Sequence, residues 1–132
     1  PLTSFVLLAS DASADGKLTI KDIFGMKLSG MALVVLSACQ TNMAQIKHGD
    51  ESYGFFRSFT YAGAVSLIAS SWDADDAVTS DLMKMFYLYL SQGEDVAHAL
   101  QKAQIDMIRK GHAPHLWSLF QLNGNPYLKK AM

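Results

Sequence analysis

The sequence of 132 residues has a single cysteine, three prolines and few charges. One cysteine excludes an internal disulfide framework and any cysteine-rich zinc site. A free thiol fits a reducing compartment, so the expected location is cytoplasmic. Charged residues make up 17% of the chain, with a formal net charge of -1. Lys and Arg are scattered, and no basic stripe points to nucleic acid. No apolar run is long enough to cross a bilayer, so no membrane partner is expected. The opening "SFVLLASDASA" imitates a secretory leader through Ala12-Ser13-Ala14, but its apolar core is short and no positive residue precedes it. Neither a GxxxxGK[S/T] loop nor a GxGxxG fingerprint occurs, so no nucleotide is expected to be cradled and no cofactor is implied.

What is present is apolar residue in quantity. Half of the residues are hydrophobic, enough for the core of one domain covering 1–132. "SFVLL" (Ser4 to Leu8) reads as a strand, and "SDASADG" as a turn closed by Gly16. Thr19 followed by Asp22 is a helix-start pattern, and the short helix after it should stop near Gly25. "MALVVLSA" is a continuous, β-branched apolar run, the pattern of a strand covered on both faces. "ESYGFFRSFTYAG" reads as a helix ending at Gly63, and "AVSLIASSW" as a second buried strand. Two longer helices follow. Val78, Leu82, Met85, Phe86 and Tyr89 share one face of the first; Val96, Leu100, Ala103 and Met107 share one face of the second. "HLWSLFQLNGNP" offers a last strand stopped at Asn123-Gly124. The alternation of strands and helices predicts an α/β fold with a mainly parallel sheet and helices on both faces.

In such sheets ligands bind beyond the carboxyl ends of the strands. Two strands end in suggestive loops, one at Ser37-Ala38-Cys39-Gln40-Thr41 and one at Ser70-Ser71-Trp72-Asp73-Ala74-Asp75-Asp76. If the strands are neighbours, the loops share a crevice. Cys39 has two readings from the residues alone. A lone cysteine is most often a packed core thiol. Nucleophilic work would require a base or positive field to draw its pKa down from about 8.5. Asp73, Asp75 and Asp76 also divide. Capping and dipole compensation of the following helix, about 0.3–1 kcal/mol each, explain them without function. A pocket for a Lys or Arg side chain is the functional reading, and a magnesium site is a third that no phosphate loop accompanies. His48, His98, His112 and His115 show no metal-ligand spacing. Ser37 and Ser71 lie in no G-x-S-x-G elbow and are pocket walls at most.

Taken together, "LVVLSACQT", "GFFRSFTYAGAVSLIASSWDADDAVTSDLMKMFYLYLSQGEDVAHALQKAQ" and "HLWSLFQLNGNP" resemble a CHAT domain. This is the caspase-like family often attached to TPR repeats and related to separases among cysteine peptidases. "LTIKDIFGMKLSGMALVVLSAC" resembles the family's approach to its cysteine. The resemblance implies a caspase-like three-layer sandwich with Cys39 as nucleophile. It implies that Ser71, Trp72, Asp73, Asp75 and Asp76 border a substrate pocket for a basic side chain, with no metal. Gln40 stands where the family form "SACET" has a glutamate. The family's general base is a histidine upstream of the cysteine, about 50 residues before it in caspases. No histidine precedes Cys39 here. The expectation is that the chain starts just after that histidine and is inactive by itself, the longer protein being a cysteine endopeptidase acting on protein or peptide substrates. The alternative is a non-catalytic interaction domain on a TPR-containing scaffold. A strand edge left open by the missing segment would favour self-association of the fragment.

Overall fold

A computed structural model describes residues 5–7, 15–30, 33–36, 50–72 and 75–129. Among them, β1 (Phe5–Leu7) pairs antiparallel with β2 (Lys17–Thr19), Phe5 lying opposite Thr19. The second strand of this hairpin is too short to show a period and was not expected. It runs straight into α1 (Ile20–Gly25), where Thr19 and Asp22 form a reciprocal capping box. The Thr19 hydroxyl accepts from the Asp22 amide at 3.1 Å, and the Asp22 carboxylate accepts from the Thr19 amide at 2.9 Å. These Thr19 bonds favour the ionised carboxyl and draw its pKa below the ordinary value.

β3 (Leu33–Leu36) is followed by α2 (Asp50–Ala62) and β4 (Ser66–Ser70). α2 stops at Gly63, as its sequence predicts. There φ is +110°, and a Cβ would meet the Ser29 backbone nitrogen at 2.9 Å. Only glycine takes that conformation so close to another backbone. The chain continues through α3 (Asp76–Ser91), α4 (Val96–Arg109), α5 (Pro114–Trp117) and β5 (Phe120–Gly124).

β3 and β4 are parallel neighbours, with Leu36 opposite Ala69. β5 pairs antiparallel on the other side of β4, with Phe120 opposite Ser70. The fold is α/β as expected, and the three described strands of this sheet form a mixed arrangement that does not by itself show a mainly parallel sheet. The cause lies in the helices. α3 and α4 are joined by a short turn and run antiparallel. The Lys110 ammonium donates to Asp81 at 2.5 Å, tying the end of α4 to the start of α3. A pair of antiparallel helices returns the chain to the end where β4 stopped, so the next strand must run back.

Alternate residues of the strands feed two apolar clusters. Val34, Leu36 and Leu67 pack with Ile20 and Ile23 of α1 and Phe55 and Phe59 of α2. Leu33, Val35 and Ile68 pack with Leu82 and Phe86 of α3 and Leu100 and Met107 of α4. Each fully buried side chain of this size contributes about 1.5–3 kcal/mol. Of the residues expected on one face of α3, Leu82 and Phe86 are buried, while Val78, Met85 and Tyr89 are partly buried. All four expected on α4 are buried, joined by Ala99.

Candidate functional site at the carboxyl end of the sheet

Because β3 and β4 are parallel and adjacent, the chain leaves both strands at the same end of the sheet. The expected shared crevice has this topological basis. Cys39 comes three residues after Leu36 and, with Ser37, Gln40, His48 and Asp73, lies outside the described residues.

Of the loop after β4, Ser71, Trp72 and Asp75 are described. Ser71 is exposed, and its amide donates to the Leu119 carbonyl at 2.8 Å. Trp72 is 44% exposed. Its indole N–H donates to the His115 carbonyl at 2.9 Å, a bond that reaches across 43 residues of sequence. Half of the ring is thus fixed and half is presented outward, an amphipathic use of tryptophan. α5 supplies this anchor. Pro114 opens it at a position where the missing N–H costs nothing. The Trp117 indole donates to the His112 carbonyl at 3.2 Å, and Gln104 Nε2 donates to the Trp117 carbonyl at 3.3 Å. The apolar pattern of this segment predicts only a strand, and Ala113-Pro114 is the signal that a helix starts before it.

The two described acidic candidates differ. Asp75 is the N-cap of α3, and its carboxylate accepts from the Ala77 and Val78 amides at 3.0 and 3.1 Å. This is the capping role that composition alone allowed. Asp76 occupies the first turn of α3 and is exposed. Its charge is favoured by the helix dipole and leaves the carboxylate available to a cation. Trp72 and Asp76 are thus both exposed, one before and one after the capping residue in sequence.

Of the described histidines, His98 has its ring bonded to a helix cap. Nδ1 of His98 lies 2.8 Å from both carboxylate oxygens of Asp95, the N-cap of α4. The His98 amide and ring draw the Asp95 pKa below its ordinary value. The His112 amide donates to the Met107 carbonyl at the end of α4, a backbone bond that closes the helix. Among the described residues no cluster of three or more His, Cys, Asp and Glu is arranged to hold a metal ion, and no helix is long and apolar enough to cross a membrane.

No curated protein matches the chain. The family model described as CHAT domain matches residues 1–125, nearly its full length. The chain belongs to the CHAT domain family, which is caspase-like.

Proposed function

We propose that this chain is the nucleophile-bearing part of a CHAT-type cysteine endopeptidase, with a caspase-like three-layer sandwich as its full architecture. The observation that carries the reading is the parallel pairing of β3 with β4 in a chain of this family. It starts the Cys39 segment and the Trp72–Asp76 segment from one end of one sheet. In the proposed reaction the Cys39 thiolate attacks the peptide carbonyl carbon. The C–S bond forms, the C–N bond breaks, and the amine leaves with a proton from an imidazole. Water then hydrolyses the thioester, and the proton returns to the imidazole. Backbone amides beside Cys39 stabilise the oxyanion. The imidazole belongs to a histidine upstream of Pro1 in the longer protein, so residues 1–132 alone are inactive. Asp76 and the face of Trp72, with Ser71 and Asp73 beside them, receive a Lys or Arg side chain before the scissile bond. Asp75 holds α3 in place beneath them.

The test is alkylation of Cys39 by iodoacetamide, followed by mass spectrometry across pH, in the protein extended upstream to its natural boundary. The expected rate profile breaks well below pH 8.5, the ordinary thiol value, and loses that break when the upstream histidine is replaced. Hydrolysis after Arg or Lys is then abolished by Cys39→Ser. A profile breaking near the ordinary thiol value, with no hydrolysis of basic peptides, contradicts the peptidase reading. The second reading is a non-catalytic interaction domain of a cytoplasmic, TPR-containing scaffold. Gln40 favours it, since the carboxylate of the family's "SACET" form is absent beside the thiol. Under that reading Cys39→Ser leaves partner binding unchanged.

A further inference from the structure

A helix of four residues, such as α5, cannot bond its own last carbonyls and has too few internal bonds to stand alone. Two of those carbonyls are taken by side chains from other elements. The His115 carbonyl accepts from the Trp72 indole at 2.9 Å, and the Trp117 carbonyl accepts from Gln104 Nε2 at 3.3 Å. A third bond closes the segment on itself, from the Trp117 indole to the His112 carbonyl at 3.2 Å. The residues after α5 are fixed more firmly. Leu119 is fully buried, and its carbonyl accepts from the Ser71 amide at 2.8 Å. α5 therefore links α4, which carries the half-buried Gln104, to the loop after β4, which carries Trp72. Trp72 is nearly half exposed, so water can serve its indole N–H as well as a carbonyl does. The bond to His115 is thus not needed to satisfy the donor. What it does is select one orientation of the ring.

We propose that Gln104 is a positioning residue: acting through α5, it holds the Trp72 ring in the orientation that receives a basic side chain. The inference rests on the reading of Trp72 as one wall of that pocket. Gln104 itself touches no substrate. It holds the Trp117 carbonyl, and the His115 carbonyl lies two residues earlier in the same single turn. A shift of one carbonyl therefore displaces the other. With both held, the ring face meets the methylenes and the charge of a Lys or Arg side chain. Without the Gln104 bond the turn loosens, the indole bond is broken part of the time, and the ring samples other rotamers. The consequence is weaker binding of basic side chains, with little change in the chemistry at Cys39.

The test compares two variants in the protein extended upstream to its natural boundary. Gln104→Met removes the donor but keeps the length and the helix propensity of the side chain. Gln104→Lys keeps an N–H donor on a chain of similar reach. One readout is the Trp72 indole N–H signal in nitrogen-15 spectra, identified by its loss in Trp72→Phe. The other is hydrolysis of peptides with Arg, Lys or a neutral residue before the scissile bond. Gln104→Met should shift the Trp72 indole signal and speed its exchange with solvent at least about threefold. It should raise KM for the basic peptides about three- to tenfold, with kcat and the Cys39 alkylation profile nearly unchanged. Gln104→Lys should restore both the signal and KM. A merely structural bond gives a different result, a lower Tm with the Trp72 indole unmoved, and that result overturns the proposal. An indole signal that shifts while KM for basic peptides stays constant, or rises equally for neutral ones, overturns it as well. If the parent protein hydrolyses no basic peptide, the peptidase reading falls, and the indole signal alone decides whether Gln104 positions Trp72.

Discussion

Two strands flank β4, and they are written differently. β5 alternates: Phe120 is buried, Leu122 half-buried, and Gln121 and Asn123 are exposed. That is the pattern of a strand with one wet face, and its outer edge carries polar side chains that discourage further pairing. β3 has no polar residue at all. Both pair only with β4 in the described sheet, yet only β5 has the composition of an edge. The difference teaches that strand burial is set by what lies alongside as well as above and below. β4, paired on both sides, has four of its five residues buried, whereas β3 has none.

The largest test of this contrast compares core truncations. Ile68→Ala in β4 removes a side chain with no exposure and should cost about 2–5 kcal/mol in urea melts. Val35→Ala in β3, at a half-exposed position, should cost no more than about 1 kcal/mol. Equal losses would show that β3 is as buried in solution as β4. Amide exchange sharpens the same point. β4 amides should exchange only on global unfolding, and those of β3 at least about tenfold faster.

A smaller effect separates structure from recognition at the end of β4. Asp75→Ala removes the cap of α3 and should lower stability by about 1 kcal/mol. Asp76→Asn touches no cap and should change stability by less than about 0.5 kcal/mol. In the longer protein Asp76→Asn should nevertheless lower kcat/KM for peptides with Arg or Lys before the scissile bond, and leave peptides with neutral residues there unaffected. A loss of equal size for both peptide classes would place the pocket elsewhere.

Much of this architecture was legible because it is encoded locally. The Thr19–Asp22 box, the stop at Gly63 and the apolar faces of α3 and α4 depend on spacings of a few residues. The direction of β5 was not legible, since it follows from how two helices fold back on each other. The Trp72–His115 bond was equally invisible, because its partners are distant in sequence and the acceptor is a backbone carbonyl that any residue could supply. Asp75 and Asp76 look alike as letters. One residue of helix phase decides which of them caps and which stays free.

The smallest predicted effect concerns how the β5 side of the sheet is finished, for which β3 has no counterpart among the described residues. Beyond β5 the chain turns at Asn125 and runs onto the start of α4. There the Val96 and Ala97 amides donate to the Leu128 and Pro126 carbonyls at 2.9 and 3.1 Å. Asp95 caps the same helix end and is held ionised by His98. Its carboxyl pKa is lowered on folding, so the stabilisation is complete above the ordinary carboxylate value. It is lost as pH falls through the lower, folded value. Asp95→Asn should therefore lower the Tm at pH 7 and converge on the parent protein only in acid below the ordinary carboxylate range. The loss should appear in the amides of Val96 and Ala97 and leave those of β3 unchanged. If acid loosened β3 first, the β5 side would owe its stability to something other than this cap.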